Sequence, residues 1–286
     1  MANIDYEAEY NTRAWSPGHE ATIARREADS AAYREQTQRE GRAELAVRYG
    51  ASERQYVDIF APAKPAEGQP LAAFIHGGYW RAQSPVIYSN LARGLNAHGV
   101  TVAMIGYDLC PAVTIRQIVG QVRAACLFLW GRTRKRMLVH GHSAGGHLTS
   151  CMVATDWKAL DPHAPEDLVP AGYAISGVFE LEPIVNTSMN VDLRLDPGEA
   201  EQMSPILWDV APGRILDAVV GGAESPEFLR QSRMIAEAWR QDEVETRYEA
   251  LPGKNHFTVI EPLADPDSAM VRRLVELSKR VQAGDV

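Results

Sequence analysis

The sequence lacks the features of several classes of protein. Its 286 residues include only three cysteines, Cys110, Cys126 and Cys151, which are widely spaced and odd in number. That usage argues against a disulfide framework and fits a reducing compartment. No apolar run approaches the roughly 18 residues that a membrane span requires, and the polar, acidic amino-terminal stretch has no signal-peptide pattern. We therefore predict a cytoplasmic protein without a membrane segment.

Basic surface and metal-binding motifs are scarce as well. The net charge of -8 argues against nucleic-acid binding, and the only basic cluster, residues 132–136, is interpreted as a solvated turn. The sequence has no H-E-x-x-H motif and no Cys/His set with metal-ligand spacing. We predict no metal and no cofactor. The expected partner is a small-molecule substrate, and a homodimer is left open.

Short apolar runs alternate with helical patterns along most of the chain. The predicted strands are "LAAFIHGG", "GVTVAMIGYDL", "RMLVHGHS", "AGYAISGVF", "ILDAVVGGAE" and "ETRYEAL", after an edge hairpin formed by "AELAVRYG" and "RQYVDIFAP". The predicted helices cover residues 17–41, 85–98, 112–130, 145–155, 226–240 and 266–282. Strands that are apolar on both faces and alternate with helices indicate an α/β fold with a mostly parallel sheet covered on both sides.

The domain organisation is predicted to be simple. We expect a single domain over residues 1–286, with an N-terminal helical extension at residues 1–45. Residues 182–212 interrupt the alternation with prolines, acids and little periodicity. An insertion of this length favours a small cap or lid over the active site, although a peripheral decoration is the alternative interpretation.

A candidate nucleophile lies between a strand and a helix. Residues 141–145 match G-x-S-x-G, directly after "RMLVH" and before "AGGHLTSCMVAT". In that context the serine occupies a sharp, strained turn whose flanking residues must be small. The helix that follows also favours negative charge in front of its N-terminus. Ser143 is therefore the predicted nucleophile.

Oxyanion stabilisation is predicted from two neighbouring segments. "HGGYW" follows the strand "LAAFI", and the N–H groups of Gly77 and Gly78 are candidate oxyanion donors together with the N–H of Ala144. His76 is expected to anchor this loop by hydrogen bonding. Tyr79 and Trp80 are candidate walls of the substrate pocket, and Trp80 can equally be packed core.

The acid and the base of a catalytic triad should follow the serine in that order. Glu224 lies just past the strand "ILDAVV" and is the predicted acid. Glu227 belongs to the first turn of the next helix, where the helix dipole explains a carboxylate, and Asp217 is at the wrong end of the strand. His256, in the loop after the last strand, is the predicted base.

The histidines that crowd the serine are not expected to act as the base. His140 lies within a strand and His147 one helical turn beyond the serine, so both are predicted to be structural. His142 precedes the nucleophile and is expected to line the pocket rather than take a proton. Tyr107 is a further candidate for an aromatic pocket wall.

Several of these segments resemble the kynurenine formamidases (arylformamidases) of the α/β-hydrolase fold. The segments are "HGGYW", "GHSAGGH", "GGAESPEFLRQS", "YDLCP", "AISGVFELEPI", "MSPI", "NHF" and the N-terminal "YNTRAW". In that family the acid is usually an aspartate of a "DSPEF"-like segment, and Glu224 stands at the matching position here. Tyr79 stands where related esterases have a third glycine, which favours the formamidase branch.

The resemblance implies the fold and a reaction. It implies a cofactor-free serine hydrolase that cleaves N-formyl-L-kynurenine to kynurenine and formate, with a Ser-Glu-His triad and a tight acyl pocket. An esterase, carbamate hydrolase or other amidase with the same triad is the alternative, because fold and triad survive many changes of substrate. A non-catalytic ligand-binding protein of the same fold is disfavoured by the presence of all three triad residues.

Overall fold

The computed structural model describes residues 4–286, so the first three residues of the predicted extension 1–45 lie outside the described part. A single sheet runs through it. Its strands are β1 (Ala43–Arg48), β2 (Tyr56–Phe60), β3 (Leu71–Ile75), β4 (Thr101–Ile105), β5 (Leu138–His142), β6 (Ala171–Ile175), β7 (Ile215–Gly221) and β8 (Glu245–Leu251).

The strand order is β1-β2-β4-β3-β5-β6-β7-β8. The hairpin β1–β2 forms one edge, and β2 pairs antiparallel with β4. All other neighbouring strands are parallel. The mostly parallel sheet with helices around it confirms the predicted α/β-hydrolase fold.

Ten α-helices surround the sheet within residues 4–286. They are α1 (Tyr6–Glu9), α2 (His19–Arg39), α3 (Ala92–Ala97), α4 (Ile115–Thr133), α5 (Ala144–Val153), α6 (Trp157–Leu160), α7 (Asn190–Leu193), α8 (Pro197–Gln202), α9 (Pro226–Arg240) and α10 (Ala269–Ala283). Short 3₁₀ helices cover Pro85–Leu91, Glu182–Asn186, Pro205–Leu207 and Glu261–Ala264. No helix in this part of the chain is both long and apolar enough to cross a membrane.

The two faces of the sheet bury separate apolar clusters. Helices α4, α5 and α9 pack on one face, and α3, α10 and part of α2 pack on the other. Every residue of β3, β5, β6 and β7 is consequently buried. This double cover explains why these strands have continuous apolar runs rather than alternating ones.

Two segments differ in detail from the sequence prediction. The predicted helix 85–98 is a 3₁₀ helix followed by the short α3. Within it the Ser89 hydroxyl bonds to the carbonyls of Pro85 and Val86, which is the local competition that weakens regular α-helix. Residues 182–212 form α7, α8 and two 3₁₀ helices, as a compact excursion between β6 and β7.

The parallel strands end at the same edge of the sheet, and this places the predicted functional loops together. The loop after β3 begins at His76, the turn after β5 at Ser143 and the loop after β7 at Gly222. The loop after β8 contains His256. Segments far apart in sequence therefore meet at one edge, as ligand sites of parallel α/β sheets do.

Candidate active site

Ser143 occupies a strained turn between β5 and α5. Its backbone has φ 57° and ψ -120°, and its N–H donates to the Ile175 carbonyl at 2.8 Å. The flanking glycines are required by close approach: a Cβ on Gly145 would lie 2.0 Å from the Ile75 oxygen, and one on Gly141 would lie 2.3 Å from the Gly145 oxygen. The contiguous sequence therefore specifies this turn, and α5 begins directly behind the serine.

Glu224 holds His256 through a short hydrogen bond. The His256 Nδ1 lies 2.6 Å from the Glu224 Oε2. The other carboxylate oxygen accepts from the Gly221 N–H at 2.7 Å and from the Ser176 hydroxyl at 2.5 Å. Both side chains are buried. The carboxylate thus fixes the orientation of the imidazole and leaves Nε2 for proton transfer.

Ser143 and His256 line the same cavity, called here the active-site cavity. Within residues 4–286 no hydrogen bond joins the serine hydroxyl to the imidazole. The serine hydroxyl, the imidazole and the carboxylate of Glu224 nevertheless meet at this edge of the sheet. This is the set of groups needed to activate a hydroxyl for attack on a carbonyl.

His76 orients the glycine loop beside the serine. Its Nδ1 is 2.7 Å from the Gly77 oxygen, and burial lowers the pKa of His76 to about 3, so the ring is a neutral donor. The carbonyl of Gly77 and the N–H of Gly78 belong to one planar trans peptide and point in opposite directions within that plane. The bond to His76 therefore directs the Gly78 N–H away from that ring, and Gly78 lines the active-site cavity.

Gly77 lies against the serine itself. A Cβ at this position would be 2.8 Å from the His142 oxygen and 3.0 Å from the Ser143 Cβ, closer than real contacts allow. Within the described residues, the N–H groups of Gly77, Gly78 and Ala144 donate to no protein acceptor. These are the three N–H groups that the sequence predicts as oxyanion donors. Gly77 and Ala144 lie next to the serine, and Gly78 lines the same cavity.

The active-site cavity has a volume of about 360 Å³, within the roughly 300–1,000 Å³ of typical small-molecule sites. It is lined by Glu7, Tyr10, Asn11, Thr12, Arg13, Ile23, Arg26, Gly78, Tyr79, Arg81, Ala82, Gln83, Tyr88, His142, Ser143, Ser188, Met189, His256 and Phe257. Much of this lining comes from the N-terminal segment. The predicted lid segment, residues 182–212, contributes only Ser188 and Met189.

Two of the four predicted pocket residues line this cavity, and two do not. Tyr79 and His142 do. Trp80 is fully buried, and its Nε1 donates to the His147 Nδ1 at 3.3 Å. Tyr107 is also fully buried, stacked on His76 at 4.2 Å, with its hydroxyl donated to the His76 carbonyl. Tyr107 is therefore not a wall of this cavity, and for Trp80 the alternative of packed core, which the sequence left equally open, describes its position.

The other histidines near the serine have structural partners or none. The His142 Nε2 lies 2.8 Å from the His256 carbonyl, so His142 supports the loop that carries His256. The His147 Nε2 is bonded to the Met203 carbonyl at 2.8 Å. Both ring nitrogens of His140 are buried without a partner. Burial lowers the pKa of His147 to about 4 and that of His140 to about 3, so both are neutral.

The N-terminal segment is tied down over the active-site cavity, and sequence reasoning did not anticipate this. The Tyr10 hydroxyl donates to the Glu227 Oε1 at 2.8 Å, and the Tyr79 hydroxyl donates to the Tyr10 carbonyl at 2.7 Å. Glu7 accepts from the N–H and the hydroxyl of Ser188, each at 2.6 Å. The segment "YNTRAW", which precedes the polar helix, was the part of the sequence that could have indicated this position. Its residues Tyr10, Asn11, Thr12 and Arg13 line the active-site cavity.

The side chains of the described residues do not form a metal-binding site. Among residues 4–286 no group of three or more His, Cys, Asp or Glu side chains is close enough to hold a metal ion. His256 and Glu224 are bonded to each other rather than arranged around a common point.

Comparisons with known proteins place this site in context. The BD-FAE family matches residues 57–195, which include Ser143 but end before Glu224 and His256. A kynurenine formamidase of Salmo salar is 30% identical over 82% of this chain and 81% of its own length, and one of Danio rerio is 27% identical over 97% of each. A crystal structure of a "putative thioesterase" from Silicibacter sp. TM1040 is 33% identical, covers 94% of this chain and 98% of its own, and superposes with a TM-score of 0.83.

Proposed function

This chain is a hydrolase of the kynurenine formamidase family, and on that premise we propose that it cleaves N-formyl-L-kynurenine to L-kynurenine and formate through Ser143, His256 and Glu224. The observation that carries the proposal is the pair formed by His256 and Glu224, 2.6 Å apart, at the cavity that also contains Ser143.

The first half of the proposed reaction forms a formyl-enzyme. The His256 Nε2 takes the proton of the Ser143 hydroxyl, and the oxygen attacks the formyl carbon. The resulting oxyanion is held by N–H groups of Ala144 and of Gly77 or Gly78. The C–N bond then breaks, and protonated His256 gives its proton to the departing arylamine. Each such N–H donor contributes about 3–4 kcal/mol to stabilising the transition state.

The second half returns the enzyme to its starting state. Water enters, loses a proton to His256 and attacks the formyl ester on Ser143. The ester bond breaks, and the serine oxygen recovers its proton from His256. Formic acid leaves and releases its own proton to water, which gives formate. Gly77 lies against the Ser143 Cβ and Tyr79 lines the same cavity, so a small acyl group such as formyl suits this side of the serine.

Hydrolysis of esters or thioesters is the second candidate function. The observation that favours it is the 33% identity and full-length superposition with the "putative thioesterase" of Silicibacter. The same serine, base and oxyanion donors would act on either bond, because the acyl-enzyme mechanism is common to them. Only the leaving group would differ.

Two further expectations belong to this proposal. The N-terminal segment and residues 182–212 together cover the substrate, since both line the active-site cavity.

We place the reaction in the cytoplasm, because Cys110, Cys126 and Cys151 are all buried free thiols, which suits a reducing compartment.

The experiment that tests the proposal compares substrates in the parent enzyme and in Ser143→Ala. We expect release of kynurenine from N-formyl-L-kynurenine by the parent, measured spectrophotometrically, and a loss of about 10⁴-fold or more in kcat for the variant. Alanine keeps a Cβ, so the strain of the turn is unchanged. Ser150→Ala is the matched control: it lies on α5 outside the cavity, bonded only to the Gly146 carbonyl.

Each failure has a distinct meaning. A parent enzyme that hydrolyses p-nitrophenyl acetate or an acyl thioester, but not N-formyl-L-kynurenine, contradicts the substrate and favours the second candidate. Turnover retained in Ser143→Ala, or an active-site serine probe that does not label Ser143, contradicts the mechanism.

A further inference from the structure

A buried arginine lies on the wall of the active-site cavity. Arg26 belongs to α2, is only 7% exposed, and lines the same cavity as Ser143 and His256. Its guanidinium carbon lies 4.9 Å from the centroid of the Tyr88 ring, and Tyr88 lines the cavity too. The guanidinium is therefore at the cavity rather than on the outer surface of the helix.

Arg26 has no hydrogen-bonding partner among the described residues. Its Nε and Nη1 are buried and make no hydrogen bond. By contrast Arg34, two turns further along α2, donates to Asp58 at 2.6 Å and to Ser89 at 2.9 Å. A buried charge without a partner is costly, and the face of one aromatic ring offsets only part of that cost. The Nε and Nη1 donors of Arg26 are therefore available to a ligand.

The charge of Arg26 acts on the active-site cavity. Burial lowers the pKa of His142 well below its usual range, and the charges of His256 and Arg26 lower it further. The other charged side chains of the wall are either paired or exposed. Arg81 is paired with Asp192 at 2.5 Å, Glu7 is bonded to Ser188, and Arg13 is exposed to solvent. Arg26 is thus the buried cation of this wall whose donors remain free for an anion.

We propose that Arg26 binds a carboxylate of the substrate, so that the cavity selects anionic substrates over neutral ones. Guanidinium groups bind carboxylates through two parallel N–H···O bonds, which fix orientation as well as charge. The inference rests on the proposed function, in which N-formyl-L-kynurenine carries its amino-acid carboxylate away from the formamide. A neutral substrate leaves the guanidinium of Arg26 without a hydrogen-bonding partner.

The test uses a pair of esters that differ only in that charge. Phenyl acetate and 3-acetoxybenzoate have the same acyl group, and only the second has a carboxylate on its leaving group. We expect Arg26→Gln to lower the ratio of kcat/KM for 3-acetoxybenzoate over phenyl acetate by roughly 10- to 100-fold. Arg25→Gln is the matched control, with the same change on the same helix: Arg25 is exposed, paired with Glu261 and outside this cavity, so the ratio stays at the parent value.

A second variant and a binding measurement guard against a folding defect. Arg26→Lys keeps the charge but loses the planar fork, and its ratio is expected between those of the parent and Arg26→Gln. Benzoate, used as the anion probe, should raise the melting temperature of the parent and of Arg25→Gln more than that of Arg26→Gln.

Three results would overturn the proposal: no preference for the anionic ester in the parent, an equal loss for both esters in Arg26→Gln, or a parent-like ratio in both Arg26 variants. The proposed function fails separately. A parent that does not hydrolyse N-formyl-L-kynurenine but shows the Arg26-dependent ratio contradicts the formamidase assignment and retains the carboxylate site.

Discussion

At the scale of single residues, two glutamates three positions apart have different partners. Glu224 accepts from His256, Gly221 and Ser176, and all of these bonds belong to the end of the sheet where Ser143 lies. Glu227 accepts from the Tyr10 hydroxyl and from Arg230 at the start of α9. Identical carboxylates thus orient an imidazole in one case and attach the N-terminal segment in the other, and only the first has a role in the proposed mechanism.

The variants Glu224→Gln and Glu227→Gln should therefore differ in kcat. An amide at position 224 presents an N–H to His256 and favours the wrong tautomer, so we expect kcat to fall by about 10³–10⁴-fold. An amide at position 227 still accepts from Tyr10, and kcat should stay within about tenfold of the parent. Steady-state kinetics on N-formyl-L-kynurenine or p-nitrophenyl acetate measures both. A larger loss of kcat in Glu227→Gln would reverse the assignment.

At the scale of elements, the segment joining α1 to α2 has an unexpected position. It lies across the carboxyl edge of the sheet and is attached by Tyr10 to α9 and by Tyr79 to the glycine loop, and Glu7 of the preceding α1 bonds to Ser188. Burial raises the pKa of Tyr10 far above its usual range, with the nearby Glu227 charge adding to it, so this hydroxyl remains a donor. The cavity wall therefore depends on a few long-range hydrogen bonds.

Tyr10→Phe should weaken substrate binding more than it slows chemistry. The variant loses two buried hydrogen bonds, one donated to Glu227 and one accepted from Gln231, at about 1 kcal/mol of stability each. It also loosens a segment that lines the cavity but contains no triad residue. We expect KM to rise severalfold while kcat stays within about threefold. Tyr6→Phe is the control, because within residues 4–286 the Tyr6 hydroxyl makes no hydrogen bond. A drop in kcat at unchanged KM would contradict this role.

At the scale of the whole molecule, several histidines are buried as neutral rings. Burial lowers the pKa of His76 and of His140 to about 3 and that of His147 to about 4. In the unfolded chain each histidine takes up a proton near pH 6.5, whereas the folded ring stays neutral until pH 3–4. Their effect on stability is therefore absent above pH 6.5, and stability is lost progressively as the pH falls below that value.

We expect the free energy of unfolding to fall between pH 7 and pH 5, by about 2 kcal/mol for each such histidine at pH 5. His140→Leu removes one of these groups without breaking a hydrogen bond, since both its ring nitrogens are unpartnered. The loss between pH 7 and pH 5 should be about 2 kcal/mol smaller in this variant, measured by urea unfolding. His163→Gln, at an exposed position, is the control. An unchanged pH dependence in His140→Leu would contradict the prediction.

Some features of the whole molecule could be predicted from the sequence and others could not. The fold class was predictable because apolar runs on both faces of a strand report a sheet covered on both sides. A homodimer, which the sequence leaves open, stays an open possibility. The role of residues 182–212 was less predictable, because loop composition does not specify which part of a segment reaches the active-site cavity.

The sequence by itself determined the strained turn at Ser143, because a strand–turn–helix is encoded by contiguous residues. The steric limit at Gly141 is local, whereas the limit at Gly145 comes from Ile75 on the neighbouring strand β3. The sequence also placed Glu224 and His256 after their strands, since parallel strands end at one edge. Only the tertiary structure decided that Trp80 and Tyr107 face the core, and that Arg26 and Tyr10 reach the cavity. The direction of a side chain outside the strands depends on packing between segments distant in sequence, and no local pattern encodes it.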